Sequence, residues 1–273
     1  MKKFDGILIC TDLDGTLLRN DKTISKENHE AIEYFKAEGG SFTFITGRMP
    51  YFCEDTWQMV QPNAPFGCVN GGGLFDHDTG DYIWRQILSP EALDLVEHIE
   101  NNVEGICIQV NTFERIYFHN GNDAAKGFCA ATKTPFIERH YRAVEEPIAK
   151  IVFCDLDVNK ILRTMRLLEE HPKADQFDFI CSEKILHEIL PKGISKGAVL
   201  PKLAEHLGIR MERTIAVGDY DNDLSMIRAA GVGIAVANAV DAVKEAADYI
   251  TVSNEEHAIA QIISDIENGI LKV

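Results

Sequence analysis

The chain has 273 residues, 45% of them hydrophobic, and carries 27 basic against 43 acidic side chains, a formal net charge of −16. That size and apolar share suit one large α/β domain or two smaller ones with a real core. The acidic balance excludes a basic nucleic-acid footprint, and no run approaches the roughly 18 apolar residues that a membrane-spanning helix needs.

The first apolar run predicts a short buried strand over residues 6–10, which leads into Asp12 and Asp14. Ser25 reads as the N-cap of a helix over 25–38 that Gly39 and Gly40 stop. A second strand over 41–45 runs into Thr46-Gly47-Arg48, and a helix opens near Pro50. A third strand is read at 66–69. Strands alternating with helices imply a parallel sheet with helices on both faces.

From about residue 84 to 190 the texture changes. A helix over 90–101 precedes two adjacent strand-like runs, 106–110 and 115–118. A strand at 148–154, a helix at 158–170 and a strand at 177–182 follow. Neighbouring strands of this hairpin kind predict an α+β insert. The strand–helix alternation then resumes, with a helix from Ser195 through His206 that Gly208 ends. Pro201 inside that helix is expected to kink it or shorten its first turns. A strand at 214–217, a helix at 221–230 and a strand at 232–236 come next, then helices at 241–247 and 257–266 around a short strand at 249–251. The expected division is a core of residues 1–83 and 191–273, interrupted by an insert of residues 84–190.

Cys10, Cys53, Cys68, Cys107, Cys129, Cys154 and Cys181 are scattered, with no C-x-x-C pair. They read as buried thiols in a reducing cytoplasm, not as a disulfide frame or a zinc site. The charged start, Met1-Lys2-Lys3, meets Asp5 at once, so no signal peptide is expected and the expected location is cytoplasmic.

In an open parallel sheet, ligands bind beyond the carboxyl ends of the strands. Asp12 and Asp14 stand past one such end, Thr46 past a second and Asp219 past a third, while Lys196 comes from a helix start. A spacing of two on an extended segment points Asp12 and Asp14 to the same side. Several carboxylates in one cleft need a counter-charge. Hard oxygens from Asp12, Asp219 and Asp223, with few nitrogen or sulfur donors nearby, favour Mg2+. Lys196 and the Thr46 hydroxyl suit phosphate oxygens, and Gly15 and Gly47 let backbone N–H groups approach closely. A local cation and a metal would offset the global negative field.

Each residue alone has a bland reading. Asp-x-Asp also occurs in solvated turns, Lys196 fits a first helical turn, and Asn222 and Asp223 fit a helix cap. In the insert, Tyr117, His119, Arg139 and His140 are candidate substrate readers, although a half-buried tyrosine and solvated charges are the more ordinary reading.

Taken together, the motifs resemble those of the haloacid dehalogenase superfamily, and within it the Cof-type phosphatases. The matches are Asp12-Leu13-Asp14-Gly15-Thr16, Thr46-Gly47-Arg48, Asn70-Gly71, Lys196-Gly197 and the run from Gly218 to Asp223, in the family's order and rough spacing. The resemblance implies a Rossmann-like parallel-sheet core with an inserted α+β cap that closes over the site. It implies a Mg2+-dependent phosphomonoester hydrolase acting on small phosphorylated metabolites, with sugar phosphates the expected class. Asp12 would attack phosphorus and form an aspartyl-phosphate. Asp14 would act as acid and then base, with its main-chain carbonyl on the metal. Thr46, Gly47, Lys196 and Asn222 would hold the phosphoryl group. Asp12, Asp14 and Asp219 would surround Mg2+, with Asp223 on the metal or behind its ligands.

Two stretches depart from the family pattern. Val236-Ala237-Asn238-Ala239 stands where Met-Gly-Asn-Ala is usual, and Ser253 to Ala260 stands where Asn-x-x-Asp-Gly-Val is usual, with His257-Ala258 in place of Asp-Gly. Both are expected to leave the catalytic set untouched and to alter either a loop near the cap or the surroundings of the ligand's far end. A phosphohexomutase of the same fold is the rival enzyme reading, and phosphate release separates the two. A non-catalytic metabolite-binding regulator is disfavoured because every catalytic position is filled. No nucleic-acid or membrane partner is expected, and monomer and homodimer stay open.

Overall fold

The computed structural model describes residues 2–273. They divide into two units, one running to Arg85 and resuming over Ser195–Val273, the other spanning Gln86–Ile194.

In the first unit, β1 (Leu8–Thr11) is buried at all four positions, as an interior strand of a parallel sheet requires. Helix α1 (Lys26–Ala37) begins at Ser25, whose hydroxyl accepts from Asn28 N at 3.2 Å. β2 (Ser41–Phe44) and the short helix α2 (Glu54–Val60) follow. The expected third strand becomes β3 (Phe66–Cys68) of a separate antiparallel sheet with β4 (Gly73–Asp76) and β5 (Asp81–Arg85). A lone parallel bridge, Ile45 to Gly67, ties β3 to the end of β2.

The second unit holds α3 (Ala92–Asn102), β6 (Cys107–Thr112), β7 (Ile116–His119), α4 (Asp123–Thr132), β8 (Ile148–Cys154), α5 (Val158–Glu169), β9 (Phe177–Glu183) and β10 (Leu186–Pro191). Its strands form one antiparallel sheet in the order β7-β6-β8-β10-β9, so the insert is α+β. One sheet face carries Ile108, Val110, Ile151, Phe153 and Ile189, packed with Leu95, Val96 and Ile99 of α3 and Ile161 and Leu168 of α5. The other face carries buried polar groups. Gln109 Nε2 donates to Asn111 Oδ1 at 3.1 Å, and Lys150 pairs with Glu188 at 2.8 Å.

Back in the first unit come α6 (Lys196–Leu207), β11 (Thr214–Gly218), α7 (Leu224–Ala229), β12 (Val232–Ala235), α8 (Asp241–Ala246), β13 (Tyr249–Ile250) and α9 (Ala258–Glu267). The main sheet is entirely parallel, in the order β13-β12-β11-β1-β2. The chain leaves β1 in one direction to β2 and later fills the other side with β11, so the winding reverses between β1 and β11. That switch point is where a doubly wound sheet opens a ligand crevice.

Pro201 does not shorten α6, which runs unbroken over Lys196–Leu207. Val199, Leu200, Leu203 and Ala204 are buried, Ser195 caps the start through Ala198 N at 3.2 Å, and Gly208 at φ +67° ends the helix. Packing and caps outweigh the one backbone hydrogen bond that a proline removes. Pro201 is exposed, so its ring buries little surface to offset that loss. Pro201→Ala should therefore raise stability by about 2 kcal/mol in equilibrium urea unfolding, after allowing for the freer unfolded chain. A destabilised variant would show that the ring is needed for packing.

Candidate active site

The end of β1 is extended by one bond, Asp12 N donating to Val217 O at 2.8 Å, which sets Asp12 at the switch point beside β11. Lys196 reaches the same place from the first turn of α6. Its ammonium lies 2.5 Å from Asp12 Oδ1 and 2.6 Å from Asp223 Oδ1, and the residue is only 1% exposed. Burial opposes a charge on Lys196, but the Asp12 and Asp223 carboxylates more than offset it and hold the ammonium above its ordinary pKa.

Asp223 is fully buried, and both of its oxygens accept hydrogen bonds. Its Oδ1 faces Lys196, and its Oδ2 accepts from the N–H groups of Asp219 and Tyr220 at 2.9 and 3.0 Å. Asp219 is differently placed. Its Oδ1 accepts from the Thr16 hydroxyl at 2.8 Å. Gly15, at φ +83°, is forced by this approach, since a Cβ there would fall 2.5 Å from Asp219 Oδ2.

One oxygen each from Asp12, Asp219 and Asp223 lies within 4.8 Å of the other two. Burial pushes Asp12 up to about 7; Lys196 opposes this while Asp223 and Asp219 add to it. Asp219 is pushed up to about 6, by burial first, against the Thr16 hydrogen bond. Hard oxygens gathered this closely repel one another and fit a hard divalent cation, which would let them ionise together.

Asp14 stands apart from this set. The chain turns at Leu13, and Asp14 forms an isolated bridge with Leu18. Arg48 Nη2 donates to both of its oxygens at 2.9 and 2.7 Å, and Lys22 donates to Oδ1 at 2.9 Å. Burial raises the Asp14 pKa, but Arg48 and Lys22 win and hold it below the ordinary carboxylate value. The two aspartates thus take different partners.

Thr46 is buried at the end of β2, where its hydroxyl accepts from Arg48 N at 3.2 Å and its carbonyl accepts from Asn70 N at 3.0 Å. Gly47 lies against Asn70, whose Oδ1 accepts from Asn222 Nδ2 at 3.3 Å. Thr46, Gly47, Asn70 and Asn222 thus form one connected group. Val69 and Asn70 sit at φ +55° and +53°. A β-branched residue in that region is strained, and such strain concentrates at functional sites.

A model of the haloacid dehalogenase-like hydrolases matches residues 9–263. The chain belongs to this family. It is 30% identical over 256 residues to a 5-amino-6-(5-phospho-D-ribitylamino)uracil phosphatase of Bacillus subtilis, covering 94% of each chain. It is 29% identical to a pyridoxal phosphate phosphatase of Escherichia coli, covering 94% of this chain and 97% of that one. A crystal structure of a haloacid dehalogenase-like hydrolase from Bacteroides thetaiotaomicron superposes with a TM-score of 0.84 at 28% identity, over 95% of this chain and 99% of the other.

In this haloacid dehalogenase-like hydrolase, Asn238 and Asn254 of these two stretches bond main-chain carbonyls of the Asp12–Leu18 loop. Asn238 Nδ2 donates to Gly15 O at 2.7 Å, Asn238 Oδ1 accepts from Asn254 N at 3.0 Å, and Asn254 Nδ2 donates to Leu18 O at 3.0 Å. Glu255 adds bonds to Arg19 and Asn20 N at 3.0 and 2.7 Å. His257 has φ +65°, a left-handed conformation that Asp and His both tolerate better than most residues, so the replacement keeps the turn. The retained Asn238 was the available signal for this contact. Tyr117, His119, Arg139 and His140 are engaged within the insert. The Tyr117 hydroxyl bonds Glu146, Arg139 lies 4.7 Å over the Tyr117 ring, and His119 Nε2 is 2.6 Å from Glu100.

The two acidic residues of the Asp219–Asp223 turn should differ sharply on substitution. Asp223→Ala strips a buried partner from Lys196 and orphans two backbone donors, and should cost about 3–5 kcal/mol in urea unfolding. Asp219→Asn keeps a partner for Thr16 and relieves repulsion, and should stay within about 1 kcal/mol of wild type. Equal losses would contradict the separate roles of the two side chains.

Proposed function

We propose that this hydrolase is a Mg2+-dependent phosphomonoesterase that passes a phosphoryl group from a small phosphorylated metabolite to Asp12 and then to water. The buried ammonium of Lys196 between Asp12 and Asp223, beside Asp219, carries this reading. The named activities of the two relatives, on a phosphorylated ribityl compound and on pyridoxal phosphate, support small phosphate esters as the substrate class. Sugar phosphates fall within it.

Asp12, Asp219 and the main-chain carbonyl of Asp14 would hold the metal, since both oxygens of Asp223 are already engaged. Bound there, Mg2+ would supply positive charge to the phosphoryl oxygens and offset the carboxylates' repulsion. Lys196 opposes the rise that burial gives Asp12 and fixes Oδ1, which leaves Oδ2 to attack phosphorus as the anion. Two ammonium hydrogens face carboxylates, and the third can meet a phosphoryl oxygen. Thr46, Gly47 and Asn222 would hold the other oxygens of the transferring group.

As the new bond to Asp12 forms, the bond from phosphorus to the alcohol oxygen breaks and Asp14 gives that oxygen a proton. A water then attacks the aspartyl-phosphate and loses a proton to Asp14. Inorganic phosphate leaves and Asp12 is restored. Asp14 must part from Arg48 and Lys22 to carry a proton, because both favour its charged form.

Asp12→Asn should lower phosphate release from p-nitrophenyl phosphate by several orders of magnitude, and Lys196→Ala should lower it by about 100-fold or more. EDTA should abolish turnover and Mg2+ should restore it. Activity within about tenfold of wild type in Asp12→Asn, or full turnover after exhaustive chelation, sinks the proposal. Conversion of a hexose monophosphate to its isomer without phosphate release would favour the mutase instead.

A further inference from the structure

The insert holds a second group of metal-type donors, built from its own side chains. Glu100 on α3, His119 at the end of β7 and His140 each offer one donor atom, and the three atoms lie within 4.8 Å of one another. The backbone explains why they meet. Phe118 N donates to Ile137 O at 2.9 Å and Arg139 N to Phe118 O at 2.8 Å, so the segment before His140 runs alongside β7. The β7 register sets His119 opposite Ile108, on the sheet face that α3 covers.

The group is held from behind and open in front. His119 Nε2 lies 2.6 Å from Glu100 Oε1, and the Tyr141 hydroxyl donates to Glu100 Oε2 at 2.8 Å. The His140 ring is 4.5 Å from that of His119 and stacks on Tyr141 at 4.4 Å. The side chains of His119 and Glu100 keep 17% and 28% exposure, so an ion has access. A carboxylate paired with one imidazole is also an ordinary hydrogen-bonded network, but such a network does not require the second imidazole to converge or the carboxylate's far oxygen to be fixed.

We propose that Glu100, His119 and His140 bind a divalent transition-metal ion of the Zn2+ type, with the remaining position left to water. Two imidazoles and one carboxylate suit Zn2+ and its neighbours, and unlike the all-oxygen set of Asp12, Asp219 and Asp223 they do not suit Mg2+. The site uses no cysteine, which is why cysteine spacing gives no hint of it. On capture, His119 and Glu100 give up their mutual bond and both turn to the ion. His140 accepts from Arg142 N at Nδ1, at 3.2 Å. To bind through Nε2 it must carry its proton on Nδ1, which loses only that long contact. Tyr141 plays the outer role that hydroxyl and carboxylate partners play behind metal ligands.

The test uses the full chain, stripped with chelator, dialysed and saturated with Mg2+. Zn2+ is titrated by calorimetry, and Co2+ absorption reports nitrogen ligation. Wild type should bind about one Zn2+ that excess Mg2+ does not displace. His119→Ala and His140→Ala should each weaken it at least 100-fold, and Tyr141→Phe by about 10–100-fold, while Asp219→Asn should keep it. If circular dichroism shows that a histidine variant has not folded, Glu100→Gln should show the same loss of affinity. No stoichiometric Zn2+ in wild type, unchanged binding in the insert variants, or loss only in Asp219→Asn overturns the site.

Discussion

Lys196 brings a positive charge into a place with 1% exposure, and both carboxylates that neutralise it come from distant sequence, 184 and 27 residues away. A buried ammonium is tolerable only with close, well-oriented partners, so this contact constrains everything near it. It ties the end of β1 to the start of α6 and to the turn after β11. The parallel sheet supplies the strand ends, the Ser195 cap starts α6 at the correct residue, and Asp223 uses its second oxygen to hold the turn that carries Asp219. Such an arrangement contributes little net stability. What it provides is a carboxylate fixed in place at Asp12, with a cation beside it, in an otherwise strongly acidic chain.

The two aspartates that open the first motif illustrate how environment separates like groups. Burial and neighbouring carboxylates push Asp12 up, and Asp219 with it, whereas Arg48 and Lys22 pull Asp14 down. Carboxylates two residues apart are thereby held in opposite electrostatic settings. The Asn238–Asn254 relay completes the picture, because it holds Gly15 O and Leu18 O at the two ends of the same loop.

Much of this was legible in the sequence where the signal is local. The apolar run before Asp12, the serine caps at Ser25 and Ser195, and the polar residues past three strand ends located the parallel sheet and the core of the site. The elements that were not legible have identifiable reasons. β5 alternates exposed and half-buried residues, so Asp81–Arg85 lacks a buried-strand signature. β10 buries His187 and Glu188, which read as polar surface. α4 contains Gly127 and ends in Thr132, both poor helix formers. The split between Asp12 and Asp14 depends on Arg48, 34 residues on, and the Asn238 contact spans 223 residues. No periodicity carries information over such distances.

The account rests on Asp12 as the residue that takes the phosphoryl group, and trapping that species tests it most directly. A p-nitrophenyl phosphate turnover mixture is acid-quenched, reduced with borohydride and digested, and the peptides are mapped by mass spectrometry. Reduction of an aspartyl-phosphate leaves homoserine at the modified position. Homoserine at residue 12 alone, appearing only with substrate, is the predicted result. Its absence at residue 12 during active turnover, or its appearance at Asp14 or Asp219 instead, would contradict the account.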